Sequence, residues 1–132
     1  MATEISTSAQ SALQGRVDLY NAGAGNATLK SYDSGSTELI SFDLGTIGSA
    51  SNACPSVANP TSLPVNATAS AGSDTAADNA ELIDGNGVVQ MTYANADIGA
   101  TGAGRPIELS DTTITNGQTF DLTTFALRQP CS

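Results

Sequence analysis

The chain has 132 residues, with thirteen acidic and four basic side chains, a formal net charge of −9, no His and no Trp. That length bounds it to a single domain (1–132), large enough to bury roughly two-thirds of its unfolded surface and so to fold without a metal or disulfide. The acidic balance excludes counterion-releasing contact with nucleic acid and attraction to an anionic membrane, and no apolar run approaches the roughly 20 residues of a bilayer span.

Residues 6–22 read as the one helix. Ser6 or Ser8 is a candidate N-cap, Ala9, Leu13, Val17 and Tyr20 make one apolar stripe, and Gly23 is a candidate left-handed stop. Gly15 inside the pattern costs roughly 1 kcal/mol against Ala. Such a helix covers a sheet or docks on a neighbour. The residues ahead of it lack the positive start and apolar stretch of a secretory signal.

Beyond Gly23 the period changes to two. Residues 28–32 form a strand candidate, followed by the turn Asp33-Ser34-Gly35. Residues 38–44 alternate, with Ile40, Phe42 and Leu44 on one face and Leu39, Ser41 and Asp43 on the other. Residues 45–66, with Pro55, Pro60 and Pro64, read as a long binding loop or extended arm. A strand of small residues is expected over 65–71, then a polar stretch over 72–79.

The second half is more regular. Residues 81–84 and 88–93 flank Gly85-Asn86-Gly87 as a hairpin, with Val89, Met91 and Tyr93 on one face. Residues 97–105 are irregular and glycine-rich. Strands follow at 107–109 and 113–115, and Asn116-Gly117 favours a type I′ hairpin or a tight strand connection. A long last strand over 119–127 sets Phe120, Leu122 and Thr124 against Asp121, Thr123 and Phe125. A tail, 128–132, closes the chain. The expected fold is mainly β: an antiparallel β-sandwich or jelly-roll-like barrel with one N-terminal helix.

Little in the sequence carries chemistry. Without His there is no Ser-His-Asp or Cys-His arrangement, and two cysteines do not make a zinc site, so no catalytic residue, metal or cofactor is expected. The run Gly99-Ala100-Thr101-Gly102-Ala103-Gly104 lacks the Lys-Ser/Thr of a phosphate loop and reads as a flexible surface loop. Asp33, Asp84, Asp97 and Asp111 stand beside turn residues and are expected to bond their own backbone. A calcium site at Asp74, Asp78 and Asp84 lacks EF-hand spacing. Cys54 and Cys131 have three options: an intramolecular bridge, worth about 4 kcal/mol in the chain-entropy model, free thiols, or an inter-subunit bond. Neither Asn26-Ala27-Thr28 nor Asn66-Ala67-Thr68 is expected to be glycosylated.

Two stretches resemble a known group. The helix ending in Asn-Ala-Gly-Ala-Gly, followed by Asn26-Ala27-Thr28-Leu29-Lys30-Ser31-Tyr32-Asp33-Ser34-Gly35, looks like the opening of small tailed-phage virion structural proteins of the capsid decoration (cement) type. Asp97-Ile98-Gly99-Ala100-Thr101-Gly102-Ala103, then Ile107-Glu108-Leu109, Thr112 to Ile114 and a Gly-Gln turn, is similar to that group's close. The resemblance covers residues 16–44 and 97–127; the middle, with Val88 to Tyr93 and the loop from Cys54 to Pro64, departs from it. It implies a β-sandwich subunit in many copies on the virion, assembled in the host cytoplasm and coating the head. Its partners would be the major capsid protein and copies of itself, as dimer or trimer, without nucleic acid or membrane. The segment before Ser6, the 45–66 loop and the tail after Leu127 are the candidate bridging arms, and Thr3, Ile5, Arg16, Pro55, Pro60, Arg105 and Arg128 the candidate interface residues. The alternatives are another virion part (tail, neck or fibre-associated) and a carbohydrate or cell-surface binding module, against which the few aromatics, Tyr20, Tyr32 and Tyr93 beside three Phe, weigh.

Overall fold

The computed structural model describes residues 2–23 and 25–129, with side chains from residue 7 onward. The helix α1 runs Ala2–Asn21, so Ser6 and Ser8 lie inside it rather than at its cap, and the expected arm before Ser6 is its first turn. Its stripe is as the spacing predicts: Ala9, Leu13, Val17 and Tyr20 are buried. Gly23 does not take a left-handed φ; its role is a close backbone approach described below.

The strands are β1 Ala27–Tyr32, β2 Glu38–Gly45, β3 Ser56–Ala58, β4 Val65–Thr68, β5 Thr75–Ala76, β6 Asn79–Ile83, β7 Val89–Tyr93, β8 Ile98–Ala100, β9 Ile107–Leu109, β10 Thr113–Ile114, β11 Thr119–Phe125 and β12 Leu127–Gln129. One four-stranded sheet has the order β2-β1-β6-β7 and is antiparallel throughout; a second has the order β4-β11-β9-β8, in which β8 and β9 are parallel. Two ribbons, β10-β5 and β12-β3, complete the layers. The chain is thus mainly β, sandwich-like, with one N-terminal helix. The core lies between the sheets, where Leu29, Phe42 and Leu82 meet Ile107, Leu122 and Phe125, all essentially inaccessible. Tyr93 of the first sheet meets Phe125 of the second edge to face, centroids 5.9 Å apart at 77°, the geometry the ring quadrupoles favour.

Two bulges redirect side chains that strict alternation misplaces. In β11, Leu122 pairs with Leu109 but Thr124 with Glu108, leaving Thr123 unpaired. The extra residue flips the strand, so Phe125 joins Phe120 and Leu122 in the core. In β7, Met91 pairs with Leu82 and Val89 with Ile83; Gln90 is the extra residue, and Val89 turns outward, 44% exposed, away from the face of Met91 and Tyr93. The last strand also ends sooner than its pattern: it breaks at Ala126, and β12 leaves the second sheet to pair with β3. Asn116-Gly117 is a tight connection, Gln118 N–H donating to Thr115 O with Gly117 at φ 85°. It does not make a hairpin, because β10 pairs with β5 and β11 with β4 and β9.

The long 45–66 segment is folded down rather than extended. It contains β3, an Ile47–Pro60 bridge, and backbone bonds from Gly48 to Asn59 and from Thr61 to Thr46. The helix holds it with amide side chains. Gln10 donates to Ala50 O at 3.1 Å, Gln14 accepts from Ala50 N at 2.9 Å, and Asn21 both donates to Ile47 O and accepts from Ile47 N, each at 2.9 Å. These bonds satisfy loop backbone that no strand pairs.

Just past the C-terminal end of α1, the turn into β1 meets the β6–β7 hairpin tip. Gly25 N donates to Gly85 O at 3.0 Å. A Cβ on Gly23 would lie 2.3 Å from Gly85 C, and one on Gly85 would lie 2.2 Å from Gly25 O. Only glycine permits that contact.

Candidate functional site: an arginine-lined pocket over a buried glutamate

The four aspartates beside turns all bond backbone amides. Asp33 accepts from Gly35 and Thr37, Asp97 from Ala94, and Asp111 from Thr113. Asp84, 4% exposed, takes Asn86 N and Val88 N on one oxygen and the Gln90 side chain on the other. Bonds from Val88 N, Gln90 and Asn86 N hold the Asp84 carboxyl below its ordinary range against the desolvation that pushes it up. Asp78 and Asp84 flank the two ends of β6, roughly 20 Å apart at ~3.3 Å per residue, so they do not converge with Asp74, which accepts from the Thr115 hydroxyl. Among the described residues no three acidic or cysteine side chains gather as a metal site, and no helix is long and apolar enough to cross a membrane.

The glycine-rich segment has a defined partner. β9 is buried at all three positions, and its middle residue is Glu108, 7% exposed. The loop before it curls over that carboxylate. Gly104 N at 2.6 Å and Arg105 N at 3.1 Å donate to one oxygen, while the Thr124 hydroxyl at 2.9 Å and Gly102 N at 3.4 Å reach the other. Gly102 and Gly104 have φ of 91° and 78°, a left-handed backbone that points successive amides inward as an anion nest. Foremost the Thr124 hydroxyl, then the amides of Arg105, Gly104 and Gly102, hold Glu108 below its ordinary carboxylate range while desolvation opposes them. The nest expected to be a flexible loop is filled by the protein's own side chain.

Over this nest lies a pocket of about 410 Å³, lined by Gly104, Arg105, Pro106, Glu108, Thr124 and Arg128. Two of the expected interface residues therefore meet there. The Arg105 guanidinium donates to the Ala96 carbonyl. Arg128, exposed on β12, makes no side-chain hydrogen bond or ion pair among the described residues. Arg16 sits behind it: its Nη2 donates to Arg128 O at 3.2 Å and to Gln129 Oε1 at 3.0 Å, and its buried Nε has no hydrogen-bond partner among the described residues. It ties α1 to β12. The fourth cation, Lys30, pairs with Glu38 at 3.1 Å on the first sheet.

The other expected interface residues do not join this site as surface contacts. Pro60 is buried beneath its bridge with Ile47, since the chain folds back there. Pro55 is exposed beside Cys54, and Cys54 is disulfide-bonded; Cys131, the only other cysteine, lies outside the described residues. Thr3 and Ile5 fall in α1, with side chains outside the described set. Glu108 is the residue that sequence reasoning missed. Its signal was an acid between two apolar strand residues, Ile107 and Leu109, just after a loop with two glycines at the right reach. Compared with family models, curated proteins and solved structures, the chain has no match.

Proposed function

We propose that this chain is a non-catalytic virion subunit, a decoration protein that binds the outer surface of a tailed-phage head and bridges major capsid subunits, acting as a dimer or trimer. The observation that carries the reading is how its ionisable groups are deployed. Five carboxylates that would be candidates for chemistry, at Asp33, Asp84, Asp97, Asp111 and Glu108, organise the protein's own turns and loop. What remains is an acidic exterior with three of the four cations gathered at the α1–β12 end. A body with such polarity is suited to oriented contact with neighbours, where many weak contacts on a lattice add up by avidity. The resemblance at residues 16–44 and 97–127 supports the same reading, because those segments build β1, β2 and β8 to β11, strands from both sheets.

Against the carbohydrate-binding alternative, Tyr20, Tyr93 and all three Phe are buried, and the Tyr32 hydroxyl is engaged by Glu81 at 2.7 Å. Little aromatic surface is left for stacking on a sugar. The test is binding of the purified protein to emptied heads of its parent phage, followed by image reconstruction. The reading expects regular density on the outer shell, lost on deletion of residues 1–8, a change that shortens α1 but spares its buried Leu13, Val17 and Tyr20 and leaves the cooperative urea unfolding of the core in place. Density on the tail, or undiminished coating by the deletion variant, would overturn the head assignment or the N-terminal contact respectively.

A further inference from the structure

We propose that the pocket between Arg105 and Arg128 is a binding site for a single carboxylate group, with Glu108 at its floor setting a preference for a monoanion over a phosphate. The inference goes beyond the decoration reading and stands on the pocket alone.

The first ground is uncompensated charge. In a chain of net charge −9, both guanidinium groups at this pocket lack an acidic partner among the described residues: Arg105 is bonded to a neutral carbonyl, and Arg128 has no side-chain bond there. The acid in the same lining, Glu108, does not serve, because four donors occupy its two oxygens. A planar guanidinium fork matches a carboxylate in two parallel hydrogen bonds, and that match is stronger than a point-charge contact.

The second ground is the sum of charges. Two guanidinium groups and one carboxylate leave the lining with one net positive charge, which a monoanion cancels. A phosphate dianion would overshoot and face the Glu108 carboxylate, whose ionised form the nest enforces. The volume, about 410 Å³, lies within the range of small-molecule pockets and admits either a free organic acid or the end of an Asp or Glu side chain from a docking protein. The shared chemistry is the carboxylate.

Isotope-labelled full-length protein is titrated at about pH 8, where inorganic phosphate is mostly the dianion, and at constant ionic strength with acetate, with an end-blocked tripeptide carrying a single glutamate, and with inorganic phosphate, following amide and arginine resonances. Acetate and the peptide are expected to shift Gly104, Arg105 and Arg128 saturably, with dissociation constants on the order of 1 mM, and phosphate to bind several-fold more weakly. Arg128→Ala weakens carboxylate binding about tenfold and Arg128→Lys by less, as loss of the fork requires; an otherwise unchanged amide spectrum shows both folded. Glu108→Gln narrows the gap between acetate and phosphate. Peptide binding at least about tenfold tighter than acetate identifies a protein side chain as the natural occupant; equal binding identifies a free acid. Absence of saturation, unchanged affinity in Arg128→Ala, or phosphate binding tighter than acetate overturns the proposal. None of these readouts involves phage heads, so the two readings fail separately.

Discussion

Replacing Gly85 by Ala places a methyl group 2.2 Å from Gly25 O and 2.9 Å from Gly23 Cα. Those atoms are backbone and cannot rotate away. An ordinary contact needs about 3.5 Å, so the hairpin tip or the α1–β1 turn must retreat by roughly 1 Å. Retreat breaks the Gly25–Gly85 hydrogen bond, worth about 1 kcal/mol, on top of an overpacking penalty of about 1–3 kcal/mol. The expected loss is about 2–4 kcal/mol, a fall in Tm of about 8–16 °C for a chain of this size. Gly15→Ala is the internal comparison. The same added methyl meets nothing within 4 Å there, and an exposed mid-helix Gly→Ala change stabilises by about 0.5–1 kcal/mol. Urea unfolding followed by far-ultraviolet circular dichroism gives both values. If Gly85→Ala unfolds within about 0.5 kcal/mol of the parent, the backbone contact between turn and hairpin is not as described.

Acid should destabilise the protein through Asp84 and Glu108. Both carboxyls hold protons less readily folded than unfolded, so the unfolded chain takes up more protons as the pH falls. Their contribution is complete above their ordinary values of 3.8 and 4.5 and is lost progressively below them. In urea midpoints from pH 7 to about 2.5, the difference between the parent and Glu108→Gln should shrink toward zero on the acid side; a difference that grows there contradicts the nest. Asn21→Ala, which removes both side-chain bonds to the Ile47 backbone, should cost about 1–2 kcal/mol. Indistinguishable urea midpoints for Asn21→Ala and the parent would show that the helix does not hold the 45–66 segment.

What the sequence made legible followed from strong periodicity. The α1 stripe, β1 and the β6–β7 hairpin were readable from their periodicity, and β2 from the alternation of Ile40, Phe42 and Leu44, although Leu39 on its other face is buried as well. The bulges at Gln90 and Thr123 were not, since an extra residue in one strand leaves the alternation of that strand intact and shows only against its neighbour. β3, β5 and β8 have three, two and three residues, mostly small; tertiary pairing, not local preference, makes them strands. The pocket was half legible. Arg105 and Arg128 stood out in a chain poor in cations, but their meeting depends on β12 leaving the second sheet at Ala126. Pro60 was misplaced because Pro-rich composition signals irregular backbone without saying whether that backbone is covered.

The order of strands in space has a consequence for synthesis. β11 occupies the middle of its sheet, between β4 and β9, and among the described residues β3 pairs with β12 alone. A ribosome must therefore release residues 119–129 before either group can close. Until then β4, β9 and β3 offer bare hydrogen-bonding edges, the kind that recruit strands from other chains. A copy cut short by even a dozen residues would be adhesive rather than merely weaker, so protein quality control would see incomplete copies as clients for refolding or destruction.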